Sequence, residues 1–86
     1  MQLLWVMSKK EKLISRFLSK PSDFHYDEMV KLLGYFGFNE VKIGKTSGSR
    51  VKFENEEGVP IILHKPHPGG IMKSYQMKQI QEILQL

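Results

Sequence analysis

The sequence predicts an α+β fold in which a three-stranded antiparallel sheet carries helices on one face, in the order α-α-β-β-β-α. Three observations lead to this prediction. Apolar residues recur at helical spacing in two segments before residue 37 and in one after residue 72. Between these segments, residues 50–54 alternate polar and apolar side chains, and residues 59–63 are almost all apolar. With 86 residues, the chain has room for one domain over residues 1–86, built around one core.

Two helices are predicted in the first half of the chain. The first covers residues 8–19 and stops before Pro21, which lacks the amide donor that a further turn requires. The second begins at Ser22 or His25 as the capping residue and ends at Gly37. The apolar stripes of the two helices are formed by Leu13, Ile14, Phe17 and Leu18, and by Met29, Leu32, Leu33 and Phe36.

The first predicted strand covers residues 38–43, and a turn follows at residues 44–48. This turn contains Lys45, Thr46 and Ser47, as some phosphate-binding loops do. It lacks the order glycine-lysine-serine and the helix that follows in nucleotide-binding loops. We therefore reject a nucleotide-binding loop at this position.

The second strand covers residues 49–54 and places Val51 and Phe53 on one face, with Arg50 and Lys52 on the other. A hairpin turn at residues 55–58 leads into the third strand.

The third strand covers residues 59–63 and ends at His64. Its nearly continuous apolar run indicates a central or well-covered strand, and Pro60 is allowed near the start of a strand. Residues 64–70 contain two prolines and two glycines, so they form an irregular connection. The last helix covers about residues 73–84 and buries Met77, Ile80, Ile83 and Leu84, and we expect the methionines at positions 29, 72 and 77 to fill the core.

The composition excludes several classes of protein. There is no cysteine, which excludes disulfide scaffolds and cysteine-ligated metal sites and favours the reducing cytoplasm. The apolar start, residues 1–7, is too short for a signal peptide or a membrane span. We expect it to be a loose extension, with Met7 as a possible true start. The alternative is that Leu3, Leu4 and Trp5 pack on a partner.

Positive charge is concentrated beside the predicted hairpin. The formal net charge is +4, and residues 42–53 contain four cationic side chains and no carboxylate. A local basic strip on a small domain indicates a polyanionic partner, either nucleic acid or an acidic protein. The alternative is an ordinary solvated face of the sheet.

The order of elements and several residues resemble the HicA family of toxin–antitoxin proteins. The matching features are Leu32-Leu33 with Gly37-Phe38 after the second helix, Gly48-Ser49 at the start of a strand, Phe53 within that strand, and the strand that ends at His64. The resemblance covers residues 24–84 and implies a fold like that of double-stranded-RNA-binding domains. It also implies a cytoplasmic endoribonuclease that cleaves mRNA without a cofactor and is neutralised by a HicB-like antitoxin protein.

One position departs from the family pattern. The residue after Gly-Ser is typically the catalytic histidine, and here it is Arg50. A guanidinium does not give up its proton, whereas an imidazole exchanges one near neutral pH. Either this chain places its proton-transfer group elsewhere or it binds RNA without cutting it.

Cleavage of RNA through its 2′-hydroxyl requires a proton acceptor, stabilisation of the charged phosphorane and a proton donor. We expect His64 to be the general base or acid and Arg50 to hold the phosphate oxygens. The resemblance and the basic strip together suggest further RNA contacts at Lys45, Ser49, Lys52, Lys65, His67 and Tyr75.

Other interpretations of the same residues remain open. His64 and His67 have a spacing that some metal sites use, but no third ligand is apparent nearby, and we expect no metal. His25 is interpreted as a residue of the helix start. The alternative functions are a non-catalytic RNA-binding module of the same fold and a basic face that docks only protein.

Overall fold

A computed structural model describes residues 8–42, 50–66 and 70–86. The helices are α1 (Lys9–Leu18), α2 (Tyr26–Tyr35) and α3 (Ser74–Leu84), and the strands are β1 (Asn39–Val41), β2 (Arg50–Glu54) and β3 (Pro60–His64). The predicted order α-α-β-β-β-α is confirmed. The predictions for residues 1–7, for the turn at residues 44–48 and for His67 fall outside the described residues.

α1 starts with reciprocal capping by Ser8 and Glu11. The Ser8 hydroxyl accepts a hydrogen bond from the backbone N–H of Glu11 at 3.1 Å, and the Glu11 carboxylate accepts from the backbone N–H of Ser8 at 3.0 Å. These bonds satisfy two amide donors that the first turn leaves without helical partners.

Of the two predicted capping residues for α2, the structure selects His25. Its backbone N–H donates to the Glu28 carboxylate at 2.9 Å. Gly37 follows the helix with φ +85°, a left-handed conformation that glycine adopts without steric cost.

An ion pair joins α1 to α2. The Arg16 guanidinium donates to the Glu28 carboxylate through Nε at 2.6 Å and through Nη2 at 3.1 Å. The hydrogen bond from Arg16 lowers the pKa of Glu28 to about 2, against a desolvation effect of the opposite sign. The hydrogen bond to Glu28 likewise raises the pKa of Arg16 above its ordinary value.

The starts of α2 and α3 are tied together by backbone hydrogen bonds. The N–H of Tyr26 donates to the carbonyl oxygen of Gly70 at 2.7 Å, and the N–H of Met72 donates to that of Phe24 at 2.7 Å. These bonds close the irregular connection after β3 against the helical layer.

The sheet has the antiparallel order β1-β2-β3, so β2 is the central strand of the described sheet. The expectation that the third strand would be central or well covered is wrong. Ile61 and Leu63 are buried, but Ile62 between them is 49 % exposed, because successive side chains of a strand point to opposite faces. Pro60 lies at the first position of this edge strand, as proline requires.

The core lies between one face of the sheet and the helices. The sheet contributes Phe53, Ile61 and Leu63, and the rings of Phe17 and Phe24 meet edge-on with centroids 5.5 Å apart. The methionines at positions 29, 72 and 77 are buried, as expected. Among the described residues, the remaining buried apolar ones are Tyr26, Leu32, Leu33, Phe38 and Ile80. The opposite face of the sheet, which we call the outer face, carries the side chains of Arg50, Lys52, Glu54, Ile62 and His64.

Among the described residues, no helix combines the length and the hydropathy needed to cross a bilayer.

Candidate functional site

Arg50 and His64 occupy directly opposite positions in the β2–β3 ladder. Opposite residues of an antiparallel pair project to the same face, with Cβ atoms roughly 4.5–5.5 Å apart. Both side chains are exposed on the outer face, away from the core. Arg50 is the first residue of β2 and His64 is the last residue of β3, so the pair lies at one end of the sheet.

Within the described part of the chain, neither side chain of this pair lies within ion-pair distance of a carboxylate. A guanidinium beside an imidazole offers several N–H donors and no competing anion. Such an arrangement can hold a phosphate through the planar fork of the arginine, while the histidine exchanges a proton with a bound hydroxyl.

Lys52 shares the outer face with the pair but is partly neutralised. Its ammonium lies 3.2 Å from the carboxylate of Glu54, two residues further along β2. A lysine that is paired with a carboxylate adds less positive potential at a phosphate site than an unpaired lysine does. The outer face is therefore most cationic at the end occupied by Arg50 and His64.

The structure does not place Lys65 and Tyr75 beside the pair on the outer face. The Lys65 ammonium lies 5.3 Å from the ring centroid of Tyr26, at the start of α2. Tyr75 is 62 % exposed and lines a groove with Lys20 and Pro21, beyond the end of α1. Lys45, Ser49 and His67 lie outside the described residues.

Gln76, a buried polar residue directly behind the site, was not predicted from the sequence. Its side chain donates to the carbonyl oxygen of His64 at 2.9 Å and accepts from the backbone N–H of Lys73 at 3.0 Å. Gln76 holds the third helical position, where glutamine commonly caps the helix start, so its acceptor role was detectable from sequence. The hydrogen bond to β3 depends on how α3 packs, and no sequence pattern near Gln76 indicates it.

Over the residues that the structure describes, no three histidine, aspartate or glutamate side chains come together in a way that would hold a metal ion. His67, the second histidine of the two-histidine interpretation, is not among those residues.

Residues 26–86 match the family model described as the HicA toxin of bacterial toxin–antitoxin systems. The chain belongs to the HicA toxin family. The HicA match begins at the first residue of α2 and includes the whole sheet and α3, whereas α1 precedes it. No curated protein and no solved structure matches the chain, so the likeness to double-stranded-RNA-binding domains stays a prediction.

Proposed function

We propose that this HicA family toxin is an endoribonuclease that cleaves mRNA in the cytoplasm at the Arg50–His64 pair and is neutralised by a HicB-like antitoxin. The observation that supports the proposal most directly is the cross-strand position of these two residues on one exposed face. The family match supplies the toxin function.

In this proposal the reaction needs no group beyond the RNA and the protein. His64 accepts the proton of the 2′-hydroxyl, whose oxygen attacks the adjacent phosphorus. Arg50 stays charged and stabilises the negative charge that accumulates on the non-bridging oxygens. The bond from phosphorus to the 5′-oxygen then breaks, and that oxygen takes a proton from the imidazolium or from water.

The outer face also has the character of a surface that an antitoxin would cover. Ile62 is 49 % exposed, two residues before His64 on the same face, and Val41 of β1 is half-buried opposite Lys52. The exposed side chain of Ile62, next to the cations of Lys52 and Arg50 on the same face, fits a partner surface with apolar and acidic side chains. In this proposal the antitoxin neutralises the toxin by occupying the site.

The second candidate function is a non-catalytic RNA-binding module, and Arg50 is the observation that favours it. With arginine in place of the family's usual histidine, His64 is the one side chain of the pair that can act as a general base or acid. The two functions differ in whether bound RNA is cut.

The test compares His64→Ala with His25→Ala. Both histidines are exposed, and His25 makes no side-chain capping bond, so the second variant controls for loss of an imidazole away from the outer face. Purified proteins are incubated with RNA in the presence of a chelator, and each variant is expressed in bacteria to measure growth arrest. The proposal requires cleavage and arrest by the wild type and by His25→Ala, and neither by folded His64→Ala.

Two results would decide against it. Salt-sensitive binding of RNA by the wild type without cleavage would establish the binding module. Cleavage by folded His64→Ala at the wild-type rate would remove His64 from the mechanism.

A further inference from the structure

The structure contains a second basic surface, separate from the outer face. It is an open groove between α1 and α2, lined by Lys9, Lys12, Leu13, Arg16, Glu28, Lys31 and Tyr35, which we call the α1–α2 groove. Its volume is about 320 Å³, at the lower end of the range for small-molecule sites. It belongs to the helical layer and uses none of the residues of the Arg50–His64 pair.

The two helices run antiparallel along this groove. Arg16, late in α1, pairs with Glu28, early in α2. The ammonium of Lys10, early in α1, lies 5.2 Å from the ring centroid of Phe36, just beyond the end of α2. Lys9 and Lys12, one helical turn apart, therefore lie along the same end of the groove as Lys31 and Tyr35.

The segment of α1 and its flanks is one of two strongly basic segments of the chain, the other being residues 42–53. Residues 8–20 contain five lysine or arginine residues and one glutamate, a balance of +4, which equals the balance of the whole chain. All other residues together sum to zero. The family match begins after this segment, at residue 26.

The charge inside the groove is not compensated. Glu28 is the only carboxylate among the lining residues, and Arg16 already binds it at 2.6 Å. Lys9, Lys12 and Lys31 are exposed, and none lies within ion-pair distance of a carboxylate in the described ranges 8–42, 50–66 and 70–86. Tyr35, one turn after Lys31, is 41 % exposed.

We infer that the α1–α2 groove binds the backbone of single-stranded RNA outside the cleavage site. Three uncompensated lysines supply the positive field that phosphates require, and an exposed tyrosine ring offers a stacking surface for a base of any identity. Lysines act as point charges without fixed geometry, which suits a flexible strand better than an acidic peptide of defined shape. The inference rests on the proposed function, because it extends the path of the same RNA.

The positions of the two surfaces dictate how the strand must run. α1 packs on α2, α2 contacts β1, and β1 is an edge strand of the sheet. An RNA that reaches both the outer face and the groove has to pass around the helical layer, so only a long RNA engages both.

The test measures RNA affinity in a His64→Ala background, in which the RNA remains intact. The groove variant carries Lys9→Gln, Lys12→Gln and Lys31→Gln. The control carries Lys20→Gln, Lys73→Gln and Lys78→Gln, three exposed lysines that do not line this groove. Both variants lower the formal net charge from +4 to +1, so a difference between them reports position and not total charge.

Two RNAs are used, one of about 4 nucleotides and one of about 20, because single-strand binding sites span roughly 4–16 nucleotides. We expect the groove variant to bind the long RNA about tenfold more weakly than the control variant, with a slope of log affinity against log salt smaller by roughly 2. The short RNA, which occupies only the outer face, should bind both variants equally. Tyr35→Leu keeps an apolar side chain and should weaken binding of the long RNA by about fivefold, at the lower limit of stacking energies.

Equal affinities of the two lysine variants for the long RNA would overturn the inference while leaving the proposed function intact. If the groove variant lost binding to the antitoxin instead, the groove would be a protein-docking surface and the inference would be wrong. Failure of the His64→Ala background itself to bind either RNA at low salt would overturn the inference together with the proposed function.

Discussion

Gln76 of α3 donates its side-chain amide to the backbone carbonyl oxygen of His64 at 2.9 Å, although the two residues belong to different elements. The same side chain accepts from the backbone N–H of Lys73 at 3.0 Å, and only 4 % of Gln76 is exposed. Both ends of the amide are used, so this one residue joins the end of β3 to the start of α3. It holds the backbone of His64 from the side opposite the outer face.

Replacing Gln76 by glutamate should separate these two roles. The carboxylate still accepts from Lys73 but opposes the His64 carbonyl oxygen, so a buried acceptor loses its donor. We expect a loss of about 1–3 kcal/mol in the free energy of unfolding, measured by urea denaturation, together with weaker RNA cleavage.

Gln81→Glu is the matched control, because Gln81 makes the same type of bond, to the carbonyl oxygen of Leu86, at the exposed end of α3. Its free energy of unfolding should change by less than about 0.5 kcal/mol. If both variants lose the same stability, the effect comes from the added charge in α3 and the link to β3 is unimportant.

Arg50 is expected to act through its planar fork of donors and not only through its charge. Arg50→Ala should lower the cleavage rate by about 10²-fold or more, and Arg50→Lys should recover only part of that loss. Lys52→Ala, which removes a cation already paired with Glu54 on the same strand and face, should cost less than about tenfold. Single-turnover cleavage of a defined RNA measures all three. Equal losses for Arg50→Ala and Lys52→Ala would show that only the summed field of the outer face matters.

Acidic pH should weaken the ion pair that joins α1 to α2. The pKa of Glu28 is about 2 in the folded protein, against an ordinary value of 4.5, chiefly because Arg16 donates to it. A lowered pKa means that the pair stabilises the fold above pH 4.5, and that this stability is lost as the pH falls from about 4.5 towards 2.

Glu28→Gln should therefore lower the free energy of unfolding by about 1 kcal/mol at neutral pH, since the pair is partly solvent-screened. It should also reduce the dependence of the free energy of unfolding on pH below 4.5. Glu82→Gln, which removes an exposed carboxylate from α3, serves as the control. It should change neither the free energy of unfolding nor the dependence of this free energy on pH. A Glu28→Gln protein whose stability falls with acid as steeply as the wild type would contradict the assignment.

The hydroxyl of Tyr26 is buried, and in the described part of the chain it has no hydrogen-bond partner. Burial, followed by the carboxylates of Glu40 and Asp27, raises its pKa to about 12. Tyr26→Phe removes the unsatisfied hydroxyl and keeps the ring beneath the Lys65 ammonium, so the free energy of unfolding should rise by about 1 kcal/mol.

The raised pKa also implies that the neutral phenol stabilises the fold below pH 10 and that this contribution is lost as the pH rises from 10 towards 12. The Tyr26→Phe protein should lack this part of the loss of stability at alkaline pH. Tyr75→Phe, at a 62 % exposed position, should leave the unfolding free energy unchanged. Destabilisation of Tyr26→Phe would mean that the hydroxyl has a partner after all.

Much of the architecture could be predicted because local patterns and burial agree. Residues 50–54 alternate along β2, and the structure buries Phe53 while exposing Arg50, as the alternation requires. The position of β3 could not be predicted in this way. Three apolar residues in a row fit a strand covered on both faces, but which strand is central depends on pairing between distant segments.

The candidate site shows the same division. The alternation along β2 and the end of β3 at His64 are local properties, but the register that places Arg50 opposite His64 is not. It pairs Glu54 with Pro60, whereas the predicted turn at residues 55–58 would pair Glu54 with Val59. The directions of Lys65 and Tyr75 depend on how the connection and α3 pack against the first two helices, and no short-range pattern encodes them. Gln76 interrupts an otherwise apolar helical stripe, and only the fold shows that its partner is the end of β3.

The turn between β2 and β3 lies at the other end of the hairpin from the Arg50–His64 pair. There the Asn55 side chain accepts from the backbone N–H groups of Glu57 and Val59, and Gly58 has φ +79°. A pairing shifted by one residue sends every side chain of a strand to the reverse side of the sheet. This turn therefore sets the register that places Arg50 opposite His64. Insertion or deletion of a single residue in it would move the guanidinium and the imidazole to opposite faces of the sheet, although both residues would remain in the sequence.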